Sequence, residues 1–202
     1  MKAVLQRVKG ACVHVDGKLV SSIGPGIVAL IGIGTDDTMD EVVPLANKIL
    51  SLKLWNEGQK APHIVTPSHY PPSTGSAAGP AASMDPAVAE APAGDTAATS
   101  RKEEVWGGKP WKASVVELGG EILCVSQFTL HARTAKGTKP DFHKSMGGSS
   151  ALPIYQALLS RLGQVYDANR IKDGAFGEMM DVTLTNDGPV TLIVDTRDSR
   201  SG

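Results

Sequence analysis

The first 37 residues, Met1 to Asp37, read MKAVLQRVKGACVHVDGKLVSSIGPGIVALIGIGTDD, and they decide the fold because they hold four short apolar runs. Ala3 to Val8, Ala11 to Val15, Leu19 to Ile23 and Ile27 to Ile33 are separated by turns containing Gly, Asp or Lys, the pattern of successive short strands. The simplest topology for them is a meander. Further along the chain the period changes. From Asp40 to Leu52 the apolar residues Val42, Val43, Leu45, Ala46, Ile49 and Leu50 recur at helical spacing, with Pro44 tolerated near the first turn. Leu152, Tyr155, Leu158, Leu159, Leu162, Val165 and Tyr166 form a second such stripe, with Ser149 or Ser150 expected as cap and Pro153 near the start. Helices are therefore expected to cover one face of the sheet. The class is α/β of the α+β type, an antiparallel-rich sheet or barrel with helices packed on it.

A chain of 202 residues with 41% hydrophobic content suits one domain, 1–202, built around a real core. Residues 59–110 break the pattern. Seven of the 13 prolines lie between Pro62 and Pro92, in a run of Ala, Gly, Ser and Thr that cannot bury enough apolar surface to offset ordering entropy. The segment reads as a disordered, low-complexity insertion, with Trp106 and Trp111 as packing anchors at its exit.

Net charge is −1, which excludes a protein that attracts nucleic acid by a strong global field. An RNA ligand would have to be held by a local patch, and Arg133, Lys136, Lys139 and Lys144 supply one. Cys12 and Cys124 sit in apolar runs and do not make a secreted disulfide framework, so a reducing compartment fits. No run is long and apolar enough for a signal peptide or a membrane span. A soluble cytoplasmic protein is expected.

Two short segments carry the chemistry. The first, SQFTL at Ser126 to Leu130, closes the apolar run Glu121 to Val125. A buried strand that ends in Ser, Gln and Thr puts backbone amides and hydroxyls at the sheet edge, where they either cap the strand or polarise a bound carbonyl. The second, NDGPVT at Asn186 to Thr191, holds Gly188-Pro189, a step that can be cis at modest cost and whose glycine can aim its carbonyl off the ladder. Asn186-Asp187-Gly188 is equally a good hairpin turn. Both segments adjoin strand-like runs, so two strand termini are expected to bring them into one pocket.

Other chemistries find no motif. There is no GxSxG around Ser126 and no Walker A sequence, and Gly24, Gly26, Gly32 and Gly34 lack dinucleotide-binding spacing. The five histidines, His14, His63, His69, His131 and His143, include no pair at metal-ligand spacing. His131 reads as a solvated loop histidine, within reach of a general-base role three residues past Phe128.

SQFTL and NDGPVT, in this order, resemble the two motifs of the D-aminoacyl-tRNA deacylases of bacteria and eukaryotes. The resemblance extends to Met1–Asp37, to LANKILSLKLWNE at Leu45–Glu57, to GTKPDFHK at Gly137–Lys144 and to GAFGEMMDVTLTNDGPVT at Gly174–Thr191. The family passes through residues 59–110 in a short loop, and this is the main departure.

The resemblance implies a homodimer that hydrolyses D-aminoacyl-tRNA without metal or cofactor, helped by the RNA's own 2′-hydroxyl. It implies backbone oxyanion donors at Gln127 and Phe128, with Ser126 and Thr129 positioning the substrate. Thr129 as a covalent nucleophile is the sharper alternative. A cis Gly188-Pro189 would reach into the partner subunit's pocket and reject L side chains by backbone, leaving glycine poorly excluded. Phe128, Phe176 and Met180 are the candidates for holding the terminal adenosine, and Arg133, Lys136 and Lys139 for the tRNA backbone. No membrane or DNA partner is implied. The rival class is a non-catalytic nucleic-acid-binding or scaffold protein that keeps the fold.

Overall fold

The computed structural model describes residues 1–61, 111–135 and 137–198. Lys136 and nearly all of the 59–110 insertion, including Trp106, His63 and His69, lie outside the described residues. In chain order the strands are β1 (Lys2–Val15), β2 (Lys18–Ile23), β3 (Gly26–Gly32), β4 (Trp55–Asn56), β5 (Trp111–Ala113), β6 (Glu121–Ser126), β7 (Ile171–Asp173) and β8 (Asp181–Asp195). The α-helices are α1 (Val42–Ser51), α2 (Val115–Leu118) and α3 (Gly148–Val165).

The first two expected strands are one. Lys9-Gly10 does not turn, because β1 is laddered along its length: Lys2–Val8 pair with β3, Ala11–Val15 with β2, and nearly the whole strand with β8. The meander is therefore replaced by a sheet in which β1 lies between β2 and β3 on the hydrogen-bonded path. Asp16 (φ 49°) and Gly17 (φ 74°) make the tight β1–β2 turn, the left-handed pair that a two-residue hairpin requires.

β3 then runs parallel to β6, and β6 parallel to β7, so the sheet is mixed. Glycine is required where β3 and β6 begin side by side, since a Cβ on Gly26 would lie 1.9 Å from the Glu121 carbonyl oxygen. β2 and β7, the ends of the path, are joined by Ser21 Oγ donating to the Asp173 carbonyl at 2.6 Å, which curls the sheet into a nearly closed barrel.

Strand alternation divides the core in two. Ala3, Leu5, Ile27, Ala29, Ile31 and Ile122 face the helices, where Leu45 and Ile49 of α1 and Tyr155, Leu158 and Leu162 of α3 cover them. Val8, Ala11, Val13, Val28, Leu123 and Val125 fill the other side of the sheet. The period of two that marked the strands thus sorts their side chains to opposite faces. α3 starts at Gly148 with Gly147 as its cap and no side-chain capping bond, so Ser149 and Ser150 lie inside the helix rather than capping it. Among the described residues no helix is long and apolar enough to cross a membrane.

At one end of β1 lies a buried charged cluster. The Met1 ammonium donates to Asp37 Oδ1 at 2.8 Å and to Thr196 Oγ1 at 2.7 Å, Gly34 N–H donates to Asp37 Oδ2 at 2.6 Å, and Arg197 Nη2 reaches Asp37 Oδ1 at 3.2 Å. These bonds tie the first residue, the loop after β3 and the end of β8 together.

Candidate functional site

Ile122 to Val125 are buried in the sheet and Ser126 is half-buried. One residue past the strand, Gln127 N–H still donates to the Ile31 carbonyl at 2.7 Å, and the chain then tightens into a 3-10 turn, Phe128–His131. The turn fits against β3 because Gly32 has no side chain: a Cβ there would meet Leu130 Cβ at 2.8 Å and the Gln127 carbonyl oxygen at 3.2 Å.

This geometry corrects the expected donor pair. The Gln127 amide is held in the ladder with Ile31, so it is not free to face an oxyanion. Phe128 and Thr129 open the 3-10 turn, where the leading N–H groups have no intrahelical acceptor. The Gln127 side chain points to the same turn, where its Nε2 donates to Thr129 Oγ1.

Phe128 is 58% exposed. Its ring packs edge-on against Phe142, with centroids 5.1 Å apart, and Ser145 Oγ donates to its carbonyl at 2.8 Å. Two exposed aromatic rings therefore stand beside the leading amides, an arrangement suited to a nucleobase. Phe176 and Met180 lie on the 174–180 loop, which is pinned to β6 by Gly174 N–H donating to the Cys124 carbonyl at 2.9 Å. Both are half-buried. Phe176 leans on Tyr155 with centroids 5.2 Å apart, and Met180 Sδ accepts from Ala175 N–H at 3.2 Å. The loop borders the end of β6 that leads into Ser126.

Arg133 and Lys139 are exposed on the loop that follows the turn, and Arg133 and Asp141 exchange backbone bonds of 2.8 and 2.9 Å across its base. His131 is not the solvated histidine expected. It is buried under the chain after β3, close enough that a Cβ on Gly34 would lie 2.7 Å from its Cε1. Burial holds its pKa below the ordinary value, against the opposing effects of the Gly32 backbone and Asp37.

The second motif is not a hairpin. β8 runs through Asn186-Asp187-Gly188 without turning, and its register with β1 slips so that Asn186 pairs with Val8 and Thr191 with Gln6. Residues 187–190 bulge opposite Arg7. Asn186, which would have started the turn, closes the bulge instead: its Nδ2 donates to the Arg7 carbonyl at 3.1 Å and to the Val190 carbonyl at 3.3 Å. Gly188-Pro189 is cis, Gly188 has φ 119°, and both residues are exposed.

Arg7 was missed in the sequence. Its guanidinium pairs with the Asp187 carboxylate at 3.0 Å, donates to the Asp187 carbonyl at 3.2 Å and to the Leu54 carbonyl, and lies 5.3 Å from the Trp111 ring centroid. Fork geometry lets one arginine hold both the bulge and the segment after α1. An isolated Arg in an alternating strand gives no hint of this.

The two motifs do not meet in one chain. Ser126 is level with Ile31 and Ala3, whereas the bulge is level with Arg7, Ile27 and Ile122. Four residues along a strand and three strand steps across separate them by about 13 Å and about 14 Å. The expected shared pocket is therefore absent from the described residues of a single chain. No three His, Cys, Asp or Glu side chains among the described residues converge as metal ligands.

The family model described as D-Tyr-tRNA(Tyr) deacylase matches residues 4–66 and 96–195. The D-aminoacyl-tRNA deacylase of Schizosaccharomyces pombe is 39% identical over 98% of this chain and 100% of its own length. That of Drosophila melanogaster is 39% identical over 99% of this chain and 95% of its own. A solved structure named c-Myc DNA Unwinding Element Binding Protein superposes with a TM-score of 0.69 at 35% identity, covering 96% of this chain and 98% of that one. A second, described as a probable eukaryotic D-amino acid tRNA deacylase, has a TM-score of 0.62 at 15% identity, covering 96% and 97%, and it speaks for the fold alone.

Proposed function

This chain belongs to the D-Tyr-tRNA(Tyr) deacylase family, and from that premise we propose how its two motifs divide the work of D-aminoacyl-tRNA hydrolysis. The enzyme cleaves the ester between a D-amino acid and the 3′ end of tRNA. Water replaces the ribose oxygen at the carbonyl carbon, and free D-amino acid and tRNA leave.

The observation that carries the mechanism is the 3-10 turn: Gln127 N–H is committed to Ile31, and the amides of Phe128 and Thr129 lead the turn beside an exposed aromatic pair. With the terminal adenine against Phe128, and with Phe176 and Met180 bordering the same strand end, the ester carbonyl lies near these amides. They stabilise negative charge as it develops on the carbonyl oxygen. The adjacent ribose hydroxyl assists attack, so no side-chain base is needed. Ser126 and Thr129 position the substrate, Thr129 being itself held by Gln127. Thr129→Val is expected to lower kcat/KM for D-tyrosyl-tRNA by less than about tenfold, the scale of a lost positioning hydrogen bond. A loss of 10³-fold or more in single-turnover assays would restore Thr129 as nucleophile.

Selection against L substrates is assigned to Gly188 and Pro189 of a second copy. They are exposed and too distant from Ser126 in their own chain. β8 also carries Ile193, 80% exposed, on a strand paired with β1, a surface suited to self-association. A backbone barrier acts on the hand of Cα and not on side-chain chemistry. D side chains are then broadly tolerated, and glycine on a mischarged tRNA is a second substrate. Arg133, Lys136 and Lys139 grip the tRNA backbone, and the enzyme works in the cytoplasm.

The test is release of amino acid from D-tyrosyl-tRNA and L-tyrosyl-tRNA by purified protein with chelator present. D-specific release is expected. A second reading, nucleic-acid binding without catalysis, is favoured by the name of the 35%-identical solved structure. tRNA binding with no release from either ester would establish it in place of the first.

A further inference from the structure

We propose that a basic pocket behind the 128–131 turn is a phosphodiester site that holds the RNA strand just before the terminal adenosine. The proposal rests on the tRNA reading above. The pocket, about 550 Å³ in volume, gathers Lys2, Arg133, Lys144 and Arg197 from four separate segments, with Asp36 and Asp195 as its carboxylates. Four cations against two carboxylates leave a surplus of two positive charges, enough for one or two phosphodiesters. On a chain whose net charge is −1, such a local surplus is where a polyanion is held.

Backbone bonds place two of the segments that carry these cations, and ion pairs hold a third. Thr35 N–H donates to the Lys144 carbonyl at 3.0 Å, and Arg133 is locked to Asp141 by the paired backbone bonds. Arg197 is braced by Asp37 at 3.2 Å and Asp36 at 3.9 Å. His131 forms part of the wall, and its burial keeps it from adding charge at neutral pH.

Position gives the pocket its ligand. His131 and Phe128 are the two ends of one short turn, so the pocket and the aromatic platform lie at opposite ends of it. Lys144 adjoins Ser145, whose hydroxyl holds the Phe128 carbonyl. A strand with its last base on Phe128 has its preceding phosphates within reach of Lys144 and Arg133. Lysine and arginine bind such oxygens through charge-assisted hydrogen bonds. The enzyme thereby takes hold of the strand through its backbone, without reading its sequence.

The test uses two non-hydrolysable ligands, D-tyrosine in amide linkage to 3′-amino-adenosine and the same group at the end of a CCA trinucleotide. Wild-type protein is expected to bind the trinucleotide more tightly. Lys144→Glu is expected to weaken trinucleotide binding on the order of tenfold, or about 1.4 kcal/mol, and to leave the adenosine ligand unchanged. Lys2→Gln moves binding the same way, and Lys18→Glu, an exposed charge change on β2, alters neither. Equal effects of Lys144→Glu on both ligands, no effect on the trinucleotide, or equal wild-type affinities would overturn the proposal. If wild-type protein binds neither ligand, the placement of the terminal adenosine on Phe128 fails first and takes the phosphate site with it.

Discussion

Asp37→Asn is expected to lower the unfolding free energy by about 3–5 kcal/mol, because it removes one partner of a fully buried ion pair and leaves the other charge uncompensated. The side chain of Asp37 and the Met1 ammonium are both 0% exposed and 2.8 Å apart. Asparagine keeps the shape but not the charge. Its amide group must point either at the ammonium or at the Gly34 N–H, which now donates at 2.6 Å, so one donor is turned against another. A fall in Tm of roughly 10 °C should accompany the change in a chain of this size. Urea unfolding measures it, and a loss below about 0.5 kcal/mol, the range of ordinary surface substitutions, would mean that the pair contributes nothing net.

The same carboxylate makes stability depend on acid pH. Burial alone pushes the Asp37 pKa up, but the Met1 ammonium, the Gly34 amide and Arg197 outweigh it and hold the pKa below the usual value. A group whose folded pKa is depressed contributes stability above its unfolded pKa, about 3.9, and loses it as pH falls through the folded value. The difference between wild type and Asp37→Asn is therefore full at pH 6 and shrinks below about pH 4. The Asn variant should show the flatter acid limb.

What the sequence made legible follows from the range of the forces involved. Strand alternation and helical spacing are local, so β2, β3, β6, α1 and α3 lie close to where the apolar pattern places them. Lys9-Gly10 and Asn186-Asp187-Gly188 carry turn residues, and ladders on β1 and β8 overrode them. Pairing with β1 at 11 positions of β8 outweighs a turn preference that is a matter of one or two residues. Both motifs were visible as residues, but their separation was not, because it depends on the β1–β3–β6 register. Arg7 was illegible for the same reason: its partners are 47 and 180 positions away. The Gln127 amide became unavailable only once Ile31 was known to face it.

Gly188→Ala is expected to cut kcat/KM for D-tyrosyl-tRNA by tenfold to a hundredfold while the protein stays folded. At φ 119° an L side chain is strained, and the new Cβ would lie 2.8 Å from Val190 Cγ2 and 3.1 Å from Arg7 Nη2. Relief of such strain, about 1–3 kcal/mol, can come from moving the bulge or from pushing Arg7 off Asp187, and either displaces the carbonyls of residues 188 and 189. Arg7→Lys should give a related but milder loss, since an ammonium cannot span Asp187 and Leu54 as the guanidinium does.

The location of the effect is the sharper question, because in its own chain Gly188 is about 13 Å along and about 14 Å across from Ser126. If the bulge completes a site on a second copy, a Gly188→Ala chain and a Phe128→Ala chain are complementary. Their mixed dimer holds one site with both motifs intact, and random exchange of equal amounts should restore about a quarter of wild-type turnover. If each chain builds its own site, every site in the mixture carries a defect and no activity returns. Subunit exchange followed by D-tyrosyl-tRNA release separates the two cases, with an outcome that a general loss of stability in either variant cannot imitate.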